Sequence, residues 1–156
     1  MTMTNATASR VNFAALAPKA FKALVGFDTA AREGLDPALV ELIQIRSSQL
    51  NGCAFCLHVH VGDARKAGED DLRLHLVASW REAGQCFSAR EQAALALTEA
   101  VTLISVDGVP DEVYARAAAA FDDTELAHVL AAACSVNTWN RVAVSTAKGA
   151  GADVRR

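Results

Sequence analysis

The sequence predicts an all-α fold, a single-domain bundle of six to seven helices, and three observations carry that prediction. Hydrophobic residues make up 52% of the 156 positions but aromatics only 6%, because much of the apolar content is alanine, a strong helix former and a poor strand former. Apolar positions recur at helical spacing in one stretch after another, separated by Gly, Pro and capping residues. No stretch shows the alternation and β-branched enrichment of a strand, and no Pro/Gly/Ser linker divides the chain.

From Asn12 to Glu33 the residues Phe13, Leu16, Phe21, Leu24, Val25 and Phe27 recur at helical spacing, with Pro18 separating a short turn from the main helix and Gly34 ending it. Asp36 followed by Pro37 reads as an N-cap with proline at the first helical position. The helix it opens runs to about Leu50, where Asn51-Gly52 tolerates the positive φ of a helix stop. A further helix opens around Cys53 and runs to Lys66, terminated by Gly68. Glu69, Asp70 and Asp71 then place negative charge at the start of a helix carrying Leu72, Leu76, Val77 and Trp80, which Gly84 ends. Ser88-Ala89-Arg90-Glu91 has the form of a capping box and starts a helix to about Ser105. After the Asp107-Gly108 turn, Pro110 begins a short helix ending near Phe121, and Asp122-Asp123-Thr124-Glu125 caps a long alanine-rich helix to about Lys148. The expected organisation is a flexible arm over 1–11, a helical domain over 12–150 and a tail over 151–156.

Fifteen Lys+Arg against eighteen Asp+Glu give a formal charge of −3, so no electropositive surface suited to nucleic acid is implied. No apolar run approaches the roughly 18 residues that cross a bilayer. Residues Met1 to Arg10 lack the apolar stretch of a signal peptide, so a cytoplasmic protein is expected. A chain of this length buries about 70% of its unfolded surface. Its four cysteines are therefore not needed as staples and call for a chemical explanation.

The informative stretch is Asn51-Gly52-Cys53-Ala54-Phe55-Cys56-Leu57-His58-Val59-His60. Cys53 and Cys56 share one face of a helix start, within reach of a disulfide, and His60 lies one turn beyond Cys56 on that face. Unpaired amides of a first helical turn favour thiolate over thiol, and a nearby imidazole takes or holds the proton, so a reactive dithiol is the leading expectation. Structural zinc is open, since Cys53, Cys56, His58 and His60 are all ligand types, although closed sites usually draw their second pair from another element. Two buried cysteines acting as small hydrophobes is the third possibility. Haem attachment is set aside because Leu57, not histidine, follows the second cysteine. Cys86 and Cys134 are expected to be packing residues, Cys134 in a tight helical contact after three alanines. His58 reads as a surface or interface side chain, His75 and His128 as core or surface residues, and Trp80 and Trp139 as core or subunit-contact residues.

These residues resemble the alkylhydroperoxidase D / carboxymuconolactone decarboxylase superfamily. The likeness spans roughly Asp36 to Val101 through Glu41, the Asn51 to Cys56 motif, His60, Asp63-Ala64-Arg65-Lys66 and Gly68, and the Trp139-Asn140-Arg141 region is similar to that of small single-domain members. The family spacing is a glutamate, eleven residues, C-x-x-C, three residues and a histidine, and Glu41, Cys53, Cys56 and His60 meet each interval. The resemblance implies an all-helical homo-oligomer, a trimer or a hexamer built as a trimer of dimers. It implies a hydroperoxide reductase without a cofactor or metal, with Cys56 as peroxidatic thiol and Cys53 as its disulfide partner. His60 and Glu41 would form the proton relay, and a dithiol, lipoyl-bearing or thioredoxin-like protein would act as reductant. Nothing local singles out Glu41; family spacing alone raises it. Phe55 stands where the peroxidase of this superfamily carries a histidine. The alternatives are a lyase acting on a lactone carboxylate, as in the decarboxylase branch, and a non-enzymatic redox-sensing or zinc-binding module.

Overall fold

The computed structural model describes residues 10–150, and over these the chain is helical with no strand. The expected tail over 151–156, and the arm except for Arg10 and Val11, lie outside the described residues. Asn12 caps the short α1 (Phe13–Leu16), its side-chain oxygen accepting from the Ala15 amide at 3.1 Å, and Pro18 begins α2 (Pro18–Ala31) as expected. Asp36 caps α3 (Pro37–Leu50), and Cys53 occupies the cap position of α4 (Ala54–Lys66). Beyond α5 (Asp71–Leu76) and two 3₁₀ turns come α6 (Ala89–Thr102), α7 (Ile104–Asp107), α8 (Asp111–Ala120) and α9 (Asp123–Ser145). Both expected boxes form: Ser88 with Glu91 opens α6, and Asp122 with Glu125 opens α9, each side chain accepting from the other residue's amide.

Nine α-helices replace the expected six to seven among the described residues, because α1 and α7 are separate short pieces. The larger departure lies between Asp71 and Gly84, where one helix was expected and α5 instead gives way to 3₁₀ structure at Val77–Ser79. Tertiary bonds explain it. The Trp80 indole N–H donates to Glu99 on α6 at 2.8 Å, and the Arg73 guanidinium donates to Glu91 on α6 at 2.6 Å, so both ends of the segment are drawn onto the bundle.

Helix α3 forms the centre and packs against α4, α6 and α9. It is buried almost all round, through Leu39, Val40, Leu42, Ile43, Gln44, Ile45, Ser47 and Ser48, as suits a helix enclosed by others rather than one facing solvent. One side joins Leu39, Val40 and Ile43 to Ala93, Ala94, Leu97, Leu126 and Val129; the opposite side joins Leu42 and Ile45 to Ala64, Val77, Trp80 and Leu95. Trp80 is thus a core residue, as expected. Cys134 corrects the expectation made for it: it is exposed on α9, since helical rotation turns it outward between the buried Ala133 and Ser135. Cys86 is half-buried against the α3/α6 core.

Candidate functional site

The turn between α3 and α4 sets the site. Gly52 holds φ +62°, a backbone region costly for any residue with a Cβ, and so allows α3 to stop and α4 to start within three residues. Asn51 pins that turn to α9: its side-chain amide donates at 2.9 Å to both Asn137 Oδ1 and Asn140 Oδ1. The same buried network continues through Asn140 to Ser48 Oγ at 3.0 Å, Asn137 to Thr102 Oγ1 at 3.0 Å, and Ser47 to Thr102 at 2.8 Å. Each donor buried here finds an acceptor, which fixes one arrangement of the turn.

Cys53 and Cys56 are joined as a disulfide across the first turn of α4, with Cα atoms 5.4 Å apart. The Cys53 sulfur accepts the Cys56 amide at 3.2 Å. Both are buried, in a small cluster with Phe55 and Ala143 of α9. They are not equivalent. Cys56 lines a cavity of about 730 Å³ bounded by α1, α2, α4 and α9, whereas Cys53 is not part of its wall. His60 lines the same cavity one turn along. Its Nδ1 lies 3.1 Å from Glu41 Oε2, on side chains only 11% and 16% exposed. A carboxylate on Nδ1 fixes the ring and leaves Nε2 for a partner in the cavity. The four residues singled out from the sequence therefore meet in one place: the dithiol and His60 on α4, and Glu41 on α3 behind the imidazole.

The other histidines stay apart. His58 and His75 are exposed, and His128 is half-buried with Nδ1 3.2 Å from the Ala31 carbonyl oxygen. Among the described residues no three His, Cys, Asp or Glu side chains gather as metal ligands.

Several wall residues were not foreseen as part of a site. Phe21 and Trp139 meet edge to face at 5.5 Å and, with Val25, Val59 and Val142, make the wall largely apolar. Lys148 also lines the cavity, its ammonium 4.6 Å from the centre of the Phe55 ring. Arg10 donates to the Ser145 carbonyl at 2.9 Å, at the C-terminal end of α9, and so holds the segment that brings Val11 to Ala14 into the wall. These positions lie far apart in the chain and carry no local signature. Only the Trp139-Asn140-Arg141 resemblance touched them.

Comparison with known proteins adds a second line. The model of the carboxymuconolactone decarboxylase family matches residues 18–100. An uncharacterized Bacillus subtilis protein, YdfG, is 36% identical over 87% of this chain and 92% of its own length. The uncharacterized Escherichia coli protein YnjA is 33% identical over 69% of this chain, which spans 58% of that relative. A crystal structure from Agrobacterium tumefaciens superposes with a TM-score of 0.88 at 34% identity, covering 93% of this chain and 99% of the other. That protein is of unknown function and has been suggested to be the antioxidant defence protein AhpD.

Proposed function

The chain belongs to the carboxymuconolactone decarboxylase family, and from that premise we propose that it is a thiol-dependent hydroperoxide reductase. One observation carries the proposal: of the two disulfide-forming cysteines, Cys56 alone lines the cavity, and it shares that wall with an imidazole backed by a carboxylate. The antioxidant role suggested for the Agrobacterium tumefaciens protein is in keeping with it.

In the reduced protein, His60 takes the Cys56 proton and the first-turn amides of α4 stabilise the thiolate. The sulfur attacks the terminal oxygen of the hydroperoxide, the O–O bond breaks, and Cys56 becomes a sulfenic acid while the departing alkoxide takes the proton back from His60. Cys53 then attacks the sulfenic sulfur, releasing water and forming the disulfide. A dithiol donor, on the family resemblance a lipoyl-bearing or thioredoxin-like protein, returns two electrons and two protons and regenerates both thiols. Glu41 acts through His60, holding the ring by the contact at Nδ1 and so keeping Nε2 turned to the cavity. The same resemblance makes a homo-oligomer, a trimer or a hexamer, the proposed assembly.

The test is peroxide consumption by reduced protein with a dithiol donor. Wild type turns over; Cys56→Ser is inactive; Cys53→Ser, reduced and then freed of the donor, consumes one equivalent and stops as a sulfenic acid that a dimedone probe labels. Equal rates in all three proteins overturn the mechanism. A second possibility, favoured by the family match itself, is a lyase acting on a lactone carboxylate. Turnover of such a lactone after both thiols are replaced by serine would select it.

A further inference from the structure

The cavity is far larger than peroxide chemistry alone requires. Hydrogen peroxide needs little more room than water, whose share of the liquid is about 30 Å³; about 730 Å³ falls in the range that encloses an organic ligand of some size. Its apolar wall of Phe21, Val25, Val59, Trp139 and Val142 suits a hydrocarbon body. The charged groups on the wall are mostly matched. Asp28 receives Arg32 at 2.6 Å and Ser135 at 2.7 Å, Asp63 receives Lys66 at 3.3 Å, and His60 faces Glu41. Lys148 differs. Among the described residues its ammonium has no carboxylate partner and rests on the Phe55 ring. Lys148, Phe55 and Cys56 line the same cavity, so this cation faces the space into which the reacting sulfur opens.

We propose that the cavity selects an amphipathic hydroperoxide, an apolar body bearing a carboxylate, with Lys148 as the residue that holds the carboxylate. The inference rests on the peroxidase function above and names its substrate class. A cation already lying against an aromatic face keeps its donors directed to one side, and a carboxylate arriving there replaces water with a charge-assisted hydrogen bond.

The experiment compares cumene hydroperoxide with its para-carboxylate, as the ratio of their kcat/KM values, in wild type and in Lys148→Met, Lys148→Arg and Lys148→Glu. Any general effect of the charge on Cys56 changes both substrates alike and cancels in the ratio. Wild type favours the carboxylate by roughly fivefold at low salt, as expected of an exposed ion pair, and the preference shrinks as salt rises. Lys148→Met brings the ratio to about one, Lys148→Arg keeps it and Lys148→Glu reverses it. Calorimetric titration with the two corresponding alcohols, which cannot react, reads the same preference without turnover. If peroxide is not consumed but the carboxylate alcohol still binds more tightly in a manner that depends on Lys148, the peroxidase function fails and the anion subsite stands. If turnover persists while both ratios ignore residue 148, or if neither alcohol binds, the subsite is overturned.

Discussion

Two carboxylates turned into the bundle, the buried Glu99 and the half-buried Glu41, serve opposite ends. Both oxygens of Glu99 are filled: Oε1 accepts from Arg46 Nε at 2.7 Å and from the Trp80 indole at 2.8 Å, and Oε2 accepts from Arg81. Burial alone would raise its pKa, yet the bonds from Trp80, Arg46 and Arg81 outweigh that and hold it below its ordinary value of 4.5. Such a group is a clamp, joining α3, α6 and the irregular segment after α5. Glu41 instead meets one imidazole through Oε2 at 3.1 Å, and it borders a second, smaller cavity of about 220 Å³. Where every donor and acceptor is matched, a polar group fixes structure. Where a titratable pair keeps an open side, it is able to move a proton.

That contrast is broken most severely by removing the clamp. Glu99→Ala leaves Arg46 and the Trp80 N–H without their acceptor inside the bundle, and should cost about 3 kcal/mol in urea unfolding. A loss below about 1 kcal/mol would mean that the network is not cohesive. Glu41→Gln should do the reverse. Stability changes by less than about 1 kcal/mol, while peroxide turnover falls at least roughly tenfold. Unchanged kinetics with lost stability would make Glu41 a second clamp.

The smallest effect sharpens the comparison through acid. Glu99 has a lowered folded pKa, so in the unfolded chain it binds protons at higher pH than in the fold. Its contribution is present above the unfolded value near 4.5 and is lost as pH falls through the folded value. Between neutrality and pH 3 the Tm of wild type should therefore drop more steeply than that of Glu99→Gln. Parallel curves would show that Glu99 does not carry the acid sensitivity.

How much of this was legible in the chain depended on distance along it. The caps at Asp36, Ser88 and Asp122 were readable because a cap is a matter of neighbouring residues, and each forms as the local pattern predicts. The dithiol and His60 were readable because two successive turns at the start of α4 carry all three. Glu41 had no local signal at all, and only family spacing marked it. Cys134 was misjudged because the alanines before it say nothing about which way α9 faces. The helix expected through Trp80 failed because bonds from Trp80 and from Arg73 to Glu99 and Glu91 of α6 decided the backbone between them.

The sequence by itself determined an alanine-rich helical domain and a thiol pair at a helix start with an imidazole one turn on, since propensity, capping and helical period all act within a few residues. The tertiary structure alone decided which thiol meets the cavity, how Asn51 is pinned by Asn137 and Asn140, and that Phe21, Trp139 and Lys148 share a wall with Cys56. Those relations join segments distant along the chain. Packing of α2, α4 and α9 around one space creates them, and no local preference encodes it.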